Sequence, residues 1–246
     1  MNWTILHLYP ELMSLYGEYA NLSVLRRLLE DLGGTVRVRT ATFEDTPDLV
    51  GADLVYMGAG TERGQKAVLT DMARYAEQLR AAAAGSTLLL FTGNAMEVLG
   101  ACVTDAAGKA WPGLGLADFT TVETERRAPG DVIAVPALWE GSAVGFMNKC
   151  SATSGVETPL FSALPLGFGN EAEGGAEGYA AGNILATHIT GPVLVKNPAF
   201  LQYVAGEMYG RRGQELPALP EDAPWRVYAR RAYEVTYAEL SQRLGK

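Results

Sequence analysis

Leu88-Leu89-Leu90-Phe91-Thr92-Gly93-Asn94-Ala95-Met96-Glu97-Val98-Leu99-Gly100 is the stretch on which the reading of the fold turns. It opens with a continuous apolar run, too short for a comfortable helix and therefore a buried strand. Gly93-Asn94 breaks that run with two residues that reach positive φ at little cost. Residues 95–99 then have helical composition, with Gly100 as a candidate C′ stop. Strand, sharp turn and helix form the geometry of a nucleophile elbow, which lifts one side chain to the rim of a sheet at a helix N-terminus. A reactive elbow carries Cys or Ser at its apex. This one carries Thr92, Gly93 and Asn94.

Upstream, residues 53–57 read as another buried strand, followed by Gly58-Ala59-Gly60, where glycines let the backbone approach a ligand closely and present bare N–H groups. Residues 62–84 read as one long helix with Val68, Met72, Tyr75, Ala76 and Leu79 inward, ended by Gly85. Residues 3–9 form a short strand closed by Pro10, and 11–20 a connection rich enough in Leu, Met and Tyr to pack down. Asn21 is placed to cap a helix whose Leu22, Leu25, Leu28, Leu29 and Leu32 keep helical spacing until Gly33-Gly34. Residues 35–43 alternate, as a strand with one wetter face near a sheet edge does. Strand–helix alternation through residue 101 predicts an α/β fold with a parallel sheet wrapped by helices.

Beyond Gly108 the texture changes. Residues 118–127, 131–138 and 141–148 read as short β segments separated by Gly and Pro turns. Residues 167–182 read as an exposed hairpin or loop, with the acidic stretch 171–177 a solvated loop. Strand character resumes over 183–189, which contains His188. A helix over 199–209 turns Phe200, Leu201 and Val204 inward. The expected organisation is one domain over 1–210, a Pro-rich linker over 211–224 and a C-terminal helix over 225–246, whose Trp225, Tyr228, Tyr233 and Tyr237 are available for docking.

The 246 residues suffice for one large α/β domain, and 48% hydrophobic with 20% charged residues is ordinary globular composition. A formal charge of −8 leaves no basic stripe to track phosphates, which argues against nucleic acid. No apolar run approaches a membrane span, and Met1-Asn2-Trp3-Thr4 lacks a basic leader region. Two cysteines without a motif, Cys102 and Cys150, point to a reducing compartment. The expectation is a cytoplasmic, soluble protein.

Several segments, in order, resemble the class I (triad-type) glutamine amidotransferases of the CobB/CobQ branch, and within it the GatD-type subunits of lipid II isoglutaminyl synthase. They are Leu6-His7-Leu8-Tyr9-Pro10-Glu11-Leu12-Met13-Ser14-Leu15-Tyr16-Gly17 with the Asn21 helix behind it, the glycine loop within Asp53-Leu54-Val55-Tyr56-Met57-Gly58-Ala59-Gly60-Thr61-Glu62-Arg63-Gly64-Gln65, Gly145-Phe146-Met147-Asn148, and Thr187-His188-Ile189-Thr190-Gly191-Pro192-Val193-Leu194-Val195-Lys196-Asn197-Pro198. Ala59 stands where that family usually has a third glycine. The resemblance covers roughly residues 4–209. It implies a flavodoxin-like class I glutamine amidotransferase fold: a mostly parallel central sheet flanked by helices, with extra antiparallel strands in the second half.

Such enzymes use a Cys thiolate against the glutamine amide, a His base and backbone N–H groups for the oxyanion. Laid on the family's elbow without a gap, the nucleophile falls on Gly93; slipped by one residue it falls on Thr92. The base falls on Thr190. Neither dyad member is present, so the resemblance implies a subunit whose own glutaminase activity is lost. Its implied partner is an ATP-dependent, MurT-like Mur-ligase-type subunit acting on a cell-wall precursor. ATP and magnesium belong to that partner, and no cofactor or metal to this chain. The fallback reading keeps amidohydrolysis through Cys150, with Lys149 favouring its thiolate, or through Thr92, with His188 as base; an idle cysteine and a structural histidine are the plainer roles. Gly58, Ala59, Gly60, Asn94, Ala95, Glu97 and Asn148 are the residues expected to line a site for glutamine or another small molecule. A third reading is a stand-alone small-molecule binder. Tight-turn geometry accounts equally well for the glycines, and pocket filling for Asn94 and Glu97.

Overall fold

A computed structural model describes residues 1–171 and 173–244. In chain order, β1 (Asn2–Leu8) leads through a 3-10 turn (Leu15–Gly17) into α1 (Tyr19–Asp31), β2 (Thr35–Ala41) and β3 (Leu54–Met57). Two helices follow, α2 (Glu62–Met72) and α3 (Ala76–Ala84), then β4 (Leu88–Thr92) and a 3-10 segment (Gly93–Leu99). A second group of strands comprises β5 (Cys102–Thr104), β6 (Ala110–Pro112), β7 (Thr120–Pro136), β8 (Ala143–Ser154) and β9 (Phe161–Leu166). The chain returns through β10 (Tyr179–Ala181) and β11 (Ile184–Thr187) to α4 (Val193–Lys196), α5 (Pro198–Arg211) and α6 (Pro224–Ser241).

The first sheet has the order β10-β11-β4-β3-β1-β2, parallel except for β10 on β11. β3, β4 and β11 are buried along their whole length, because helices cover both sheet faces and a strand between them needs apolar residues at every position. One face carries Trp3, Ile5, Leu54, Tyr56, Leu88 and Leu90 against α1 and α5. The other carries Leu6, Leu8, Val55, Met57, Leu89 and Phe91 against α2 and α3. β2 is the edge strand, with most of its residues exposed, as its alternation predicts. The second sheet runs β6-β5-β7-β8, with β9 added to β7. The parallel sheet with an antiparallel second half is the architecture the sequence implies.

Several local expectations change. The helix expected over 62–84 is interrupted at Ala73–Tyr75, where a non-helical Tyr75 (φ −127°, ψ 24°) brings its hydroxyl within 2.5 Å of the buried Tyr9 hydroxyl. Asn21 does not cap α1. It lies inside the helix, fully buried, donating to the Tyr56 hydroxyl at 2.9 Å and accepting from the Leu194 N–H at 2.8 Å. Gly100 is extended (φ −69°, ψ −174°) rather than left-handed; a side chain there would meet the Phe119 carbonyl oxygen at 2.5 Å.

The short β segments expected between 118 and 148 are two long strands. β7 and β8 pair antiparallel from Thr120 to Ala134, with a register break between Glu123 and Ala128. Pro129 does not end β7, because β5 reaches only to Val122 on the other side and β9 begins only at Ile133. Its missing N–H falls on an open edge, where proline is tolerated.

Asn197, just ahead of α5, joins this second sheet to the helices. Its amide donates to the carbonyls of Val144 (2.7 Å) and Val193 (2.8 Å), and its Oδ1 accepts from the Val144 N–H (2.7 Å). Asn197→Ala strands buried backbone groups of both elements, and urea denaturation is expected to register a loss of roughly 2–3 kcal/mol.

Candidate functional site

β4 delivers the chain to the rim of the first sheet, and Gly93 turns it there with φ +63°, a backbone state that costs L side chains energy. The turn opens onto a cavity of about 200 Å³ that Gly93 lines together with Ala59, Gly60, Asn94, Glu97, Asn148, Cys150, His188 and Thr190. The sequence thus brings most of its expected site residues to one place. Three are elsewhere. Thr92 is fully buried behind the elbow, Gly58 lies where a Cβ would meet the Glu18 Cβ and the Met13 carbonyl oxygen at 2.8 Å, and Ala95 is in the core.

The reaction centre of an elbow is filled here. A Cβ on Gly93 would overlap the Ala59 methyl, lying 3.0 Å from Ala59 Cα and 3.1 Å from Thr190 Cγ2. The Gly60 N–H, in the glycine loop facing the elbow, donates to Asn94 Oδ1 at 2.8 Å. Thr190 is fixed by a backbone exchange with Phe146 and gives its hydroxyl to the Phe146 carbonyl at 3.1 Å.

Behind the elbow sits Glu18, with no exposed surface. Thr92 donates its hydroxyl to Glu18, Tyr56 donates to Oε2 at 3.0 Å, and the Gly191 N–H donates to Oε1 at 3.2 Å. Burial outweighs these donors and raises the Glu18 pKa above the ordinary carboxylate value.

On the inner wall, Glu97 accepts from Gln65 at 2.6 Å and from Ser151 at 2.5 Å, and its Oε1 lies 3.4 Å from His188 Nε2. Burial pushes its pKa upward, but the adjoining imidazole and the Ser151 and Gln65 donors hold it below the usual range. His188 lies just past β11 rather than in a strand, and its Nδ1 is 3.0 Å from Glu177 Oε1. Glu177 also accepts from the His188 N–H (2.7 Å) and the Thr187 hydroxyl (2.6 Å), and it has no exposed surface. The stretch expected to be a solvated acidic loop therefore supplies a buried structural carboxylate.

Cys150 sits at the cavity's outer side, donating to Glu62 at 3.2 Å beside Arg127, whose guanidinium bonds Glu62 at 2.5 Å. Burial and Glu62 push the thiol up to about 11. Lys149 does not favour its thiolate: the ammonium turns away and donates to the carbonyls of Gly169 (2.7 Å) and Asn170 (3.0 Å). Sequence reasoning missed Glu18, Arg127, Ser151 and Glu177. The bulge that aims Arg127 inward had one legible trace, the run Glu123-Thr124-Glu125-Arg126-Arg127 between two apolar halves of a strand. Nothing in spacing marked the others.

The CobB/CobQ-like glutamine amidotransferase domain matches residues 4–198. The GatD subunit of lipid II isoglutaminyl synthase (glutamine-hydrolyzing) from Streptococcus pneumoniae is 28% identical over 217 residues, 86% of this chain and 83% of that protein. The GatD subunit from Staphylococcus aureus is 25% identical over 221 residues, 89% of this chain and 88% of that protein. Among solved structures, a crystal structure of a glutamine amidotransferase superposes with a TM-score of 0.53 at 14% identity, covering 82% of this chain and 98% of its own, a likeness of fold.

Because Glu18 is easier to protonate in the folded chain than in the unfolded one, its contribution to stability is complete below the unfolded carboxylate pKa and is lost as pH rises through the raised folded one. Glu18→Gln is expected to raise the urea midpoint at pH 7.5 and leave it unchanged at pH 4, read from denaturation curves at the two pH values.

Proposed function

The chain belongs to the CobB/CobQ-like glutamine amidotransferase family, and from that footing we propose that it is a GatD-like subunit that does not itself hydrolyse glutamine. The observation that carries this is the state of the elbow. Acyl transfer from glutamine needs a nucleophile, a base within hydrogen-bond reach and free donors for the oxyanion. Position 93 has no side chain and no space for one beside Ala59, position 190 has a threonine spent on the Phe146 carbonyl, and the Gly60 N–H is taken by Asn94. The space at each of these positions is occupied, so the substitutions support one another.

The two GatD relatives are subunits of a glutamine-hydrolysing synthase. By analogy this chain pairs with an ATP-dependent, MurT-like ligase that modifies a cell-wall precursor. It shapes that ligase while the ligase draws on free ammonia. ATP and magnesium act in the partner. No described helix is long and apolar enough to cross a membrane.

The competing reading, hydrolysis through Cys150 or Thr92, has less support. The Cys150 thiol is raised and hydrogen-bonded to a carboxylate, the opposite of an activated thiolate. Thr92 points away from the cavity to Glu18. The purified chain, alone and with its co-purified partner, is expected to release no ammonia from glutamine and to form no adduct with diazo-oxo-norleucine; turnover or an adduct on Cys150 or Thr92 would overturn the proposal. Gly93→Cys alone is expected to lower the melting temperature by several degrees through its overlap with Ala59 and its positive φ, with Ala59→Gly in the same chain restoring only the part due to the overlap.

A further inference from the structure

The mouth of the cavity is ringed by side chains from four separate elements that hold one another. Asn148 of β8 donates its amide to the Tyr16 hydroxyl at 2.8 Å, and its carbonyl oxygen accepts from Arg127 of β7 at 3.2 Å. Arg127 reaches on to Glu62 at the start of α2, 2.5 Å away. All four residues line the cavity, and the turn Leu15–Gly17 brings Tyr16 in from the side of α1. Tyr16 is 43% exposed, and Arg127 and Glu62 also meet solvent. Behind them Glu97, Ser151 and His188 are 3%, 5% and 1% exposed. The ring is the boundary between solvent and a polar chamber.

Tyr16 holds its place in that ring against a backbone cost. Its φ of +60° and ψ of 21° lie in the left-handed region, which is unfavourable for a bulky side chain. What keeps it there is the Asn148 amide on its hydroxyl and the ring of Phe146, met edge-on with centroids 6.2 Å apart. One hydrogen bond between neutral groups at a wet position and one strained residue are similar in size and opposite in sign. The closed and open forms of the turn therefore lie close in free energy. We propose that the turn at Tyr16 is a gate to the chamber, held shut by the Asn148 bond and opened when that bond breaks and the ring swings off the mouth. The chain on either side is anchored: the Leu15 N–H donates to the Ala59 carbonyl at 2.9 Å, and Glu18 is fixed in the core. Between them Gly17, at φ +77° with no heavy atom within 4 Å of a built Cβ, is free to absorb the change as a hinge. The Arg127–Glu62 pair closes the far side; at its exposure it adds little hold of its own. Access to the chamber is separate from hydrolysis, so the gate stands whichever way the glutamine assay falls.

The test is hydroxyl-radical footprinting of the full chain, read by mass spectrometry as the oxidation rate of His188 at the back of the chamber. Met208, 1% exposed in the core under α5 and away from the cavity wall, serves as the control. Tyr16→Phe removes the hydroxyl and keeps the ring; it is expected to raise the His188 rate at least threefold and leave the Met208 rate unchanged. Asn148→Ala breaks the same bond from β8 without touching the turn, is expected to give the same rise, and decides alone if the first variant does not fold. A role that is merely structural loosens the chain as a whole and moves Met208 with His188. An unchanged His188 rate, or a rise shared by Met208, overturns the gate.

Discussion

The buried carboxyl group of Glu18 is the tie on which the arrangement of the site depends. It has no water to solvate it, so its oxygens must be satisfied by what the fold brings to them. Those donors come from distant parts of the chain: Tyr56 in β3, Thr92 at the end of β4, and the Gly191 N–H of the turn before α4. Asn21, one turn further along α1, extends the same network to Tyr56 and to the Leu194 N–H. Strand ends that would otherwise fray are thereby fixed in register with the start of the first helix. These donors are neutral, so the network holds its carboxyl group without an ion pair. This scaffold holds the elbow in shape from behind.

Much of this was legible in the residues themselves, for identifiable reasons. The run Leu88–Thr92 had to be a central strand because only burial on both faces tolerates apolar side chains at every position. The glycine-rich turn at 93 and the alternation of β2 were equally direct. What escaped the sequence was polar and long-range. Glu177 sits in a Gly- and Glu-rich stretch whose composition is that of a solvated loop, and only the fold brings it beneath His188. Asn21 has the chemistry of a cap, yet its tertiary partners Tyr56 and Leu194 outbid the helix terminus. Cys150 and Lys149 are adjacent in sequence, but neighbouring residues of a strand point to opposite sides, so the lysine cannot serve the thiol.

Four residues, Ala59, Gly93, Asn94 and Thr190, close the space around the elbow together. The Ala59 methyl occupies the space beside Gly93, the Thr190 methyl closes the other side, and the Asn94 amide meets the Gly60 N–H. In a close-packed interior a lost side chain leaves a void that costs stability in proportion to its volume. Here small groups fill the space at the elbow, while the deeper part of the cavity, with Glu97, Ser151 and His188, stays open. The two halves of the pocket differ in kind: one is packed with small apolar groups, the other is polar.

The middle of β7 has one remaining implication. Between Val122 and Ile133 no strand among the described residues pairs with its outer side, which leaves backbone donors and acceptors there without ladder partners. Such a row can recruit a foreign strand and seed aggregates. The chain places Arg126 and Pro129 along that gap, a charge that disfavours an incoming copy and an imino acid that cannot complete the ladder. The longest described strand thus carries at its unpaired stretch the same proline that, in the bare sequence, looked like its end.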